Sequence, residues 1–311
     1  MMQKEIMIAV DDSRHSKIAV RYAVGIYPAL KDVKFTVLHV QPTISQYLLD
    51  EAKSKPHAYA ELEKVNRKNA ESAQLLLDKY KTQMVTAGIA EKNIQLKTQP
   101  RLLGVAKDIL EASMAGQFDA LLLGRRGLSG LQDMFIGSVS ANIVDNSKDT
   151  PIWLVDEEGP SQDIMVAVDG SENSFKAVDH LAFIIGGNTD VKILFFHVRP
   201  RLRDFCPVDF EDSNSEALEE IIRQGDQQCI DQFFLHAKNR LNKAGIQENQ
   251  ISFKASEGAF RVGKAVLDEY HRGSFGTLVV GRRGMNKKYF TGSVSRYLVN
   301  QFSNGALWVV P

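Results

Sequence analysis

The sequence predicts an α/β fold made of two repeated, doubly wound, five-stranded parallel-sheet domains, with strand order 3-2-1-4-5 in each. Three observations carry this reading. The chain of 311 residues repeats itself once. Each copy alternates short apolar runs with helical patterns, and parallel strands need such crossovers. The apolar runs are nearly continuous rather than alternating, as in strands covered on both faces.

The repeat consists of five collinear matches. Ile6–Ser13 returns as Ile164–Ser171, and Phe35–Pro42 as Ile193–Pro200. Leu121–Gly127 returns as Leu278–Gly284, Gly137–Ser140 as Gly292–Ser295, and Pro151–Val155 as Ala306–Val310. The offset is 158 residues at Asp11/Asp169, 157 at Gly124/Gly281 and 155 at Gly137/Gly292, so the second copy carries small deletions. The polar stretch Asp156–Asp163, with its Gly-Pro step, separates domains expected at 1–157 and 158–311.

Within the first copy, Ile6–Val10 reads as a strand ending in a polar turn. The following helix places Ile18, Ala19, Tyr22, Ala23 and Ile26 on one face. Phe35–Val40 is the second strand, and after a variable polar stretch an amphipathic helix runs near Ala60–Met84. A third strand at Ile94–Thr98 precedes a helix at Val105–Ala115; the fourth strand is Ala120–Leu123. A glycine-rich turn leads to a helix at Ser138–Asn146 and a last strand at Ile152–Val155.

Composition narrows the function classes. Lys+Arg and Asp+Glu both total 38, which removes the basic excess that nucleic acid or a membrane surface would call for. Cys206 and Cys229 show no metal-ligand spacing and read as reduced thiols. No apolar run reaches the roughly 18 residues of a membrane span, and the one at the start is too short for a signal-peptide core. The expectation is a soluble, cytoplasmic protein.

In sheets of this kind ligands sit at the carboxyl ends of the strands, at the switch point between strands 1 and 4. Three features converge there: Val10-Asp11-Asp12-Ser13, His39-Val40, and Gly124-Arg125-Arg126-Gly127 followed by Gly137-Ser138-Val139-Ser140. Glycines let backbone approach a phosphate, and a Ser-capped helix N-terminus offers unpaired N–H donors to an anion. The spacing is neither a Walker A loop nor the dinucleotide fingerprint.

Gly124-x2-Gly127-x9-Gly137-Ser138 resembles the nucleotide-binding motif of the ATP-binding branch of the universal stress protein (UspA-like) family. The strands ending in Asp11 and Asp169, and those ending in Val40 and Val198, resemble its first two strands. The resemblance covers nearly the whole chain, twice. It implies an adenine nucleotide alpha hydrolase-like fold holding ATP with Mg²⁺. It sets Asp11 against ribose and adenine, and brings the backbone of Val40 to the adenine. Gly124, Gly127, Gly137 and Ser138 hold the phosphates, with Ser140 nearby. The second-copy equivalents are Asp169, Val198, Gly281, Gly284, Gly292 and Ser293. There only seven residues, not nine, separate the glycine turn from the helix, and Lys287 and Lys288 lie among them. The resemblance also implies last strands that pair across a two-fold interface, so that two fused copies form an internal pseudo-dimer; a homodimer of chains stays open.

Several positions have a plainer reading. Asp11 and Asp169 also suit a helix cap, and the glycines a tight turn. Arg125, Arg126, Arg282 and Arg283 sit on turns whose direction the sequence does not set. His39 and His197 read as satisfied core residues, Trp153 and Trp308 as packing. No catalytic base, nucleophile or metal cluster stands out, so the expected function is an ATP-binding stress-response regulatory module with at most slow hydrolysis and an unidentified protein partner. The alternatives are a nucleotide-free interaction scaffold and an enzyme of the related ATP pyrophosphatase fold, whose SGGxDS and HxGH signatures are missing here.

Overall fold

The structure is a computed structural model, and it describes residues 3–126, 136–159, 161–199, 214–256, 259, 261–282 and 293–311. The chain divides into two compact units, the second beginning its continuous run at Asp156.

In the first unit the strands are β1 (Lys4–Ala9), β2 (Val33–Val40), β3 (Ile94–Gln99), β4 (Ala120–Gly124) and β5 (Ile152–Val155). Their order is β3-β2-β1-β4-β5. All pairs are parallel, with Ile6 opposite both Phe35 and Ala120, Phe35 opposite Ile94, and Leu121 opposite Ile152. Every residue of β4 and β5 is buried. That explains their unbroken apolar sequence, since a parallel strand covered on both faces has no wet side. Helices α1 (Arg14–Ile26) and α3 (Pro56–Thr86) pack against each other, as do α4 (Val105–Ala115) and α5 (Ser138–Asn146). The two pairs form the layers of a doubly wound domain.

The second unit repeats the plan with β6 (Ile164–Val168), β7 (Ile193–Val198), β8 (Ile251–Ser256), β9 (Thr277–Gly281) and β10 (Ala306–Val310), in the order β8-β7-β6-β9-β10. Its helices are α6 (Glu172–Ile185), α7 (Asn214–Lys243), α8 (Val262–Arg272) and α9 (Ser293–Gln301). Trp153 in β5 and Trp308 in β10 are fully buried, as packing residues should be.

The long helix is longer than its apolar pattern. The periodicity marks Ala60–Met84, but α3 starts at Pro56, whose missing N–H costs nothing in a first turn. Its buried residues Ala73, Leu77, Tyr80 and Met84 all lie in its C-terminal half. The exposed N-terminal half carries Lys64–Glu61 and Arg67–Glu71 pairs at helical spacing. The variable segment Thr43–His57 contains a further helix, α2 (Gln46–Ala52), none of whose residues is buried.

Candidate functional site

The first wall of the site is the turn after β1. Ser13 is the N-cap of α1, its hydroxyl accepting from the N–H of Ser16 at 3.1 Å. Asp11 is therefore not the cap. Its Oδ1 accepts from the Ser13 N–H at 3.0 Å and from the Ser16 hydroxyl at 2.6 Å, while its own N–H donates to Ser16 Oγ at 2.9 Å. One carboxylate oxygen thus builds the turn, and the residue still faces the cleft described below. The second unit has the same lattice: Ser171 caps α6, and Asp169 Oδ1 accepts from Ser171 N at 3.0 Å and Ser174 Oγ at 2.7 Å.

The second wall is the end of β2. His39 Nδ1 lies 2.8 Å from the Val10 carbonyl. A carbonyl only accepts, so this nitrogen carries the proton. His197 repeats the contact to Val168 at 2.9 Å, and Asp226 meets its other nitrogen at 3.0 Å. Both histidines tie strand 2 to the end of strand 1; His197 is the satisfied core residue expected, whereas His39 is only half-buried and lines the cleft described below.

The third wall is the step from β4 to α5. Gly124 is required there by packing: a Cβ on it would lie 2.7 Å from the backbone carbon of His15. The start of α1 rests directly on the strand end. Gly281 stands in the same relation to Asn173, with 2.3 Å to its backbone oxygen. The N–H of Gly137 donates to the Arg125 carbonyl at 2.9 Å, and Ser140 Oγ to the Gly124 carbonyl at 2.9 Å. These bonds fix the start of α5. Ser140 is buried and its hydroxyl is used in positioning the helix. Gly137 is the N-cap of α5 and no side chain caps the helix, so its first-turn N–H groups have no intrahelical acceptor. They carry the positive end of the helix dipole.

These walls enclose a cleft of about 500 Å³, a size usual for small-molecule sites. Asp11, Val40, Gly124, Gly137, Ser138 and Ser140 all line it. The structure thus brings together six of the seven first-copy residues marked in the sequence. The seventh, Gly127, lies outside the described residues. Arg126, Gln41 and Arg101 also line the cleft. No motif marks Gln41 or Arg101, although they lie one and two residues beyond the ends of β2 and β3 and so fall where ligands bind in such sheets. The rest of the lining is largely apolar, with Val40, Pro42, Val105, Ile109 and Leu123.

In the second unit Asp169, Val198, Gly281 and Ser295 line a pocket of about 110 Å³. Ser293 opens α9; Gly284, Gly292, Arg283, Lys287, Lys288 and Cys206 lie outside the described residues. Cys229 is an exposed free thiol. Among the described residues no group of three or more His, Cys, Asp or Glu could hold a metal ion, and no helix is long and apolar enough to cross a membrane.

Comparison with known proteins places this architecture. A model of the universal stress protein family matches residues 2–155 and again 160–311. A protein of Staphylococcus aureus strain USA300 named as a universal stress protein is 28% identical over 162 residues, covering 51% of this chain and 87% of that protein. Among solved structures, a universal stress protein from Archaeoglobus fulgidus DSM 4304 is similar with a TM-score of 0.66 at 18% identity, over 100% of this chain and 99% of that one. A protein of unknown function from Pseudomonas aeruginosa PAO1 follows the same fold with a TM-score of 0.58 at 12% identity, over 99% and 92% of the two chains. With one copy of the domain in each half, the chain belongs to the universal stress protein family as a tandem member.

Proposed function

We propose that this protein is a cytoplasmic, ATP-binding stress-response regulator, organised as domains 1–157 and 158–311, with nucleotide held at the carboxyl ends of the strands. The observation that carries the reading is the convergence of Asp11, Val40, Gly124, Gly137 and Ser138, from four separate stretches of chain, on one cleft. The donor set fits the ligand. The N–H groups at the start of α5 suit phosphate, and the apolar wall suits a base. Asp11, with one oxygen already engaged by Ser13 and Ser16, suits a ribose hydroxyl. Mg²⁺ would arrive with the phosphates, since Asp11 is the one carboxylate among the described lining residues. Bound ATP supplies a charge and shape that report nucleotide state to a protein partner. The chain's own residues orient it; none is assigned a proton to move, so turnover is at most slow. In the second half Asp169, Val198, Gly281, Gly284, Gly292 and Ser293 are the corresponding set. A nucleotide-free scaffold role is favoured there by the smaller pocket.

The test is nucleotide content. Freshly purified chain is denatured, and released nucleotide is identified and quantified by chromatography for wild type and Gly137→Asp, which sets a carboxylate at the anion-facing helix start. ATP in wild type and its loss in the variant support the reading. No nucleotide, together with no calorimetric binding of Mg·ATP, leaves the scaffold alone.

A further inference from the structure

Arg101 is an exposed cation on the rim of the first cleft, two residues beyond the end of β3, and it makes no hydrogen bond or ion pair with the described residues. The backbone around it is held firmly. Upstream, the Gln41 N–H donates to the Gln99 carbonyl at 2.9 Å. Downstream, the N–H groups of Leu102, Leu103 and Gly104 all donate to the carboxylate of Asp108, at 3.0, 2.9 and 3.3 Å. Asp108 is itself 2% exposed, and Gly104 takes a φ of +125° that a side chain would resist. A rigid loop thus presents one long cationic side chain to the cleft.

The surroundings decide what that cation is for. Of the residues that line the cleft with Arg101, Val105 and Ile109 belong to the helix that follows it and Pro42 follows β2, the strand paired with β3; none of the three side chains offers anything to a phosphate. The anion-directed N–H groups belong to α5, across the sheet order from β3. A guanidinium is planar and weakly hydrated, and it stacks on aromatic faces. We propose that Arg101 lies over the nucleotide base as a positioning residue, closing the apolar slot from the solvent side; this rests on the nucleotide-binding reading above. The second copy lacks the device. β3/β8 and α4/α8 align with the same offset of 157 residues, which sets Gly258 at the position of Arg101 and Ala265 at that of Asp108.

Calorimetry on the full chain with ATP, AMP and adenosine tests this, using wild type, Arg101→Ala and Arg101→Lys. Thermal unfolding midpoints of the exposed-site variants should match wild type. The expected result is that Arg101→Ala weakens all three ligands by one common factor, about three- to tenfold, and that Lys restores little of it because an ammonium has no plane. Three results overturn the proposal: unchanged affinities, a loss that grows with phosphate number, or full recovery with Lys. Wild type that binds none of the ligands would defeat the nucleotide reading itself; wild type that binds them indifferently to Arg101 defeats only this inference.

Discussion

The hydroxyl of Tyr80, in α3, donates a 2.7 Å hydrogen bond to the backbone carbonyl of Asp11, in the turn that begins the cleft. The ring is 1% exposed. Burial, with Asp11 and Asp12 close by, pushes the phenol's pKa up, so the group remains a donor at any working pH. Helix register alone places the second-copy counterpart at Ala237, so this brace belongs to the first unit. Tyr80→Phe keeps the buried ring and removes the donor. The expected loss is about 1 kcal/mol of stability by urea unfolding, with weaker Mg·ATP binding because the Asp11 turn loosens. Unchanged stability would mean that the Ser13 and Ser16 bonds hold the turn unaided.

Two glycines of the first unit should respond to the same change with opposite signs. Gly124→Ala sets a Cβ 2.7 Å from the His15 backbone, and backbone cannot yield as a flexible side chain can. A destabilisation of about 1–3 kcal/mol is expected. Gly25, inside α1, has nothing within 4 Å of an added Cβ. Gly25→Ala should stabilise by about 0.5–1 kcal/mol through helix propensity. Paired denaturation curves measure both; equal effects would refute the packing account of Gly124.

Much of this architecture is legible in the sequence for a definite physical reason. Strands covered on both faces must be apolar throughout, so Leu121–Leu123 and Ile152–Val155 declare themselves, and duplication writes every signal twice. The cleft segments are legible because glycines and helix caps are backbone requirements confined to few residue types. What stays hidden is what no residue type demands. Helix α2 buries nothing and so has no periodicity to read. Arg101 and Gln41 occupy strand-end positions where nearly any side chain could stand. Gly124 reads as a phosphate glycine, yet the crowding it relieves comes from His15, which is distant in sequence. The multiple hydrogen bonds that Asp108 accepts come from the loop before it, and no spacing rule foretells them.

Asp108→Ala removes the acceptor of three backbone N–H groups at once. The cost should be about 1–3 kcal/mol, the range for stranding a buried donor, because the loop can turn some of these groups toward water. Since the second copy already has Ala265 there, the loss should fall on the first unit alone. Hydrogen exchange resolved by peptide should show faster exchange at 102–104 and none at 259–261. Equal protection in wild type and variant would show that Gly104 and the packing of α4 fix the loop without the carboxylate.

Asp119 gives a pH-dependent prediction at the opposite end of the sheet from the cleft. Its Oδ2 accepts from the Glu5 N–H at 2.8 Å. Burial raises its carboxyl above the ordinary 3.8, and this outweighs the opposing pulls of that hydrogen bond and of Lys4. With the pKa raised on folding, the folded state binds the proton more tightly than the unfolded one. Ionised Asp119 therefore weakens the fold at neutral pH, and the penalty fades as pH falls through the folded-state pKa. Asp119→Asn retains a carbonyl oxygen for Glu5 and carries no charge. Its thermal midpoint should exceed wild type at pH 7, and the gap should shrink as pH falls into the carboxylate range. A lower midpoint at pH 7 would show that the Glu5 N–H needs a charged acceptor, and that its contribution exceeds the cost of burial.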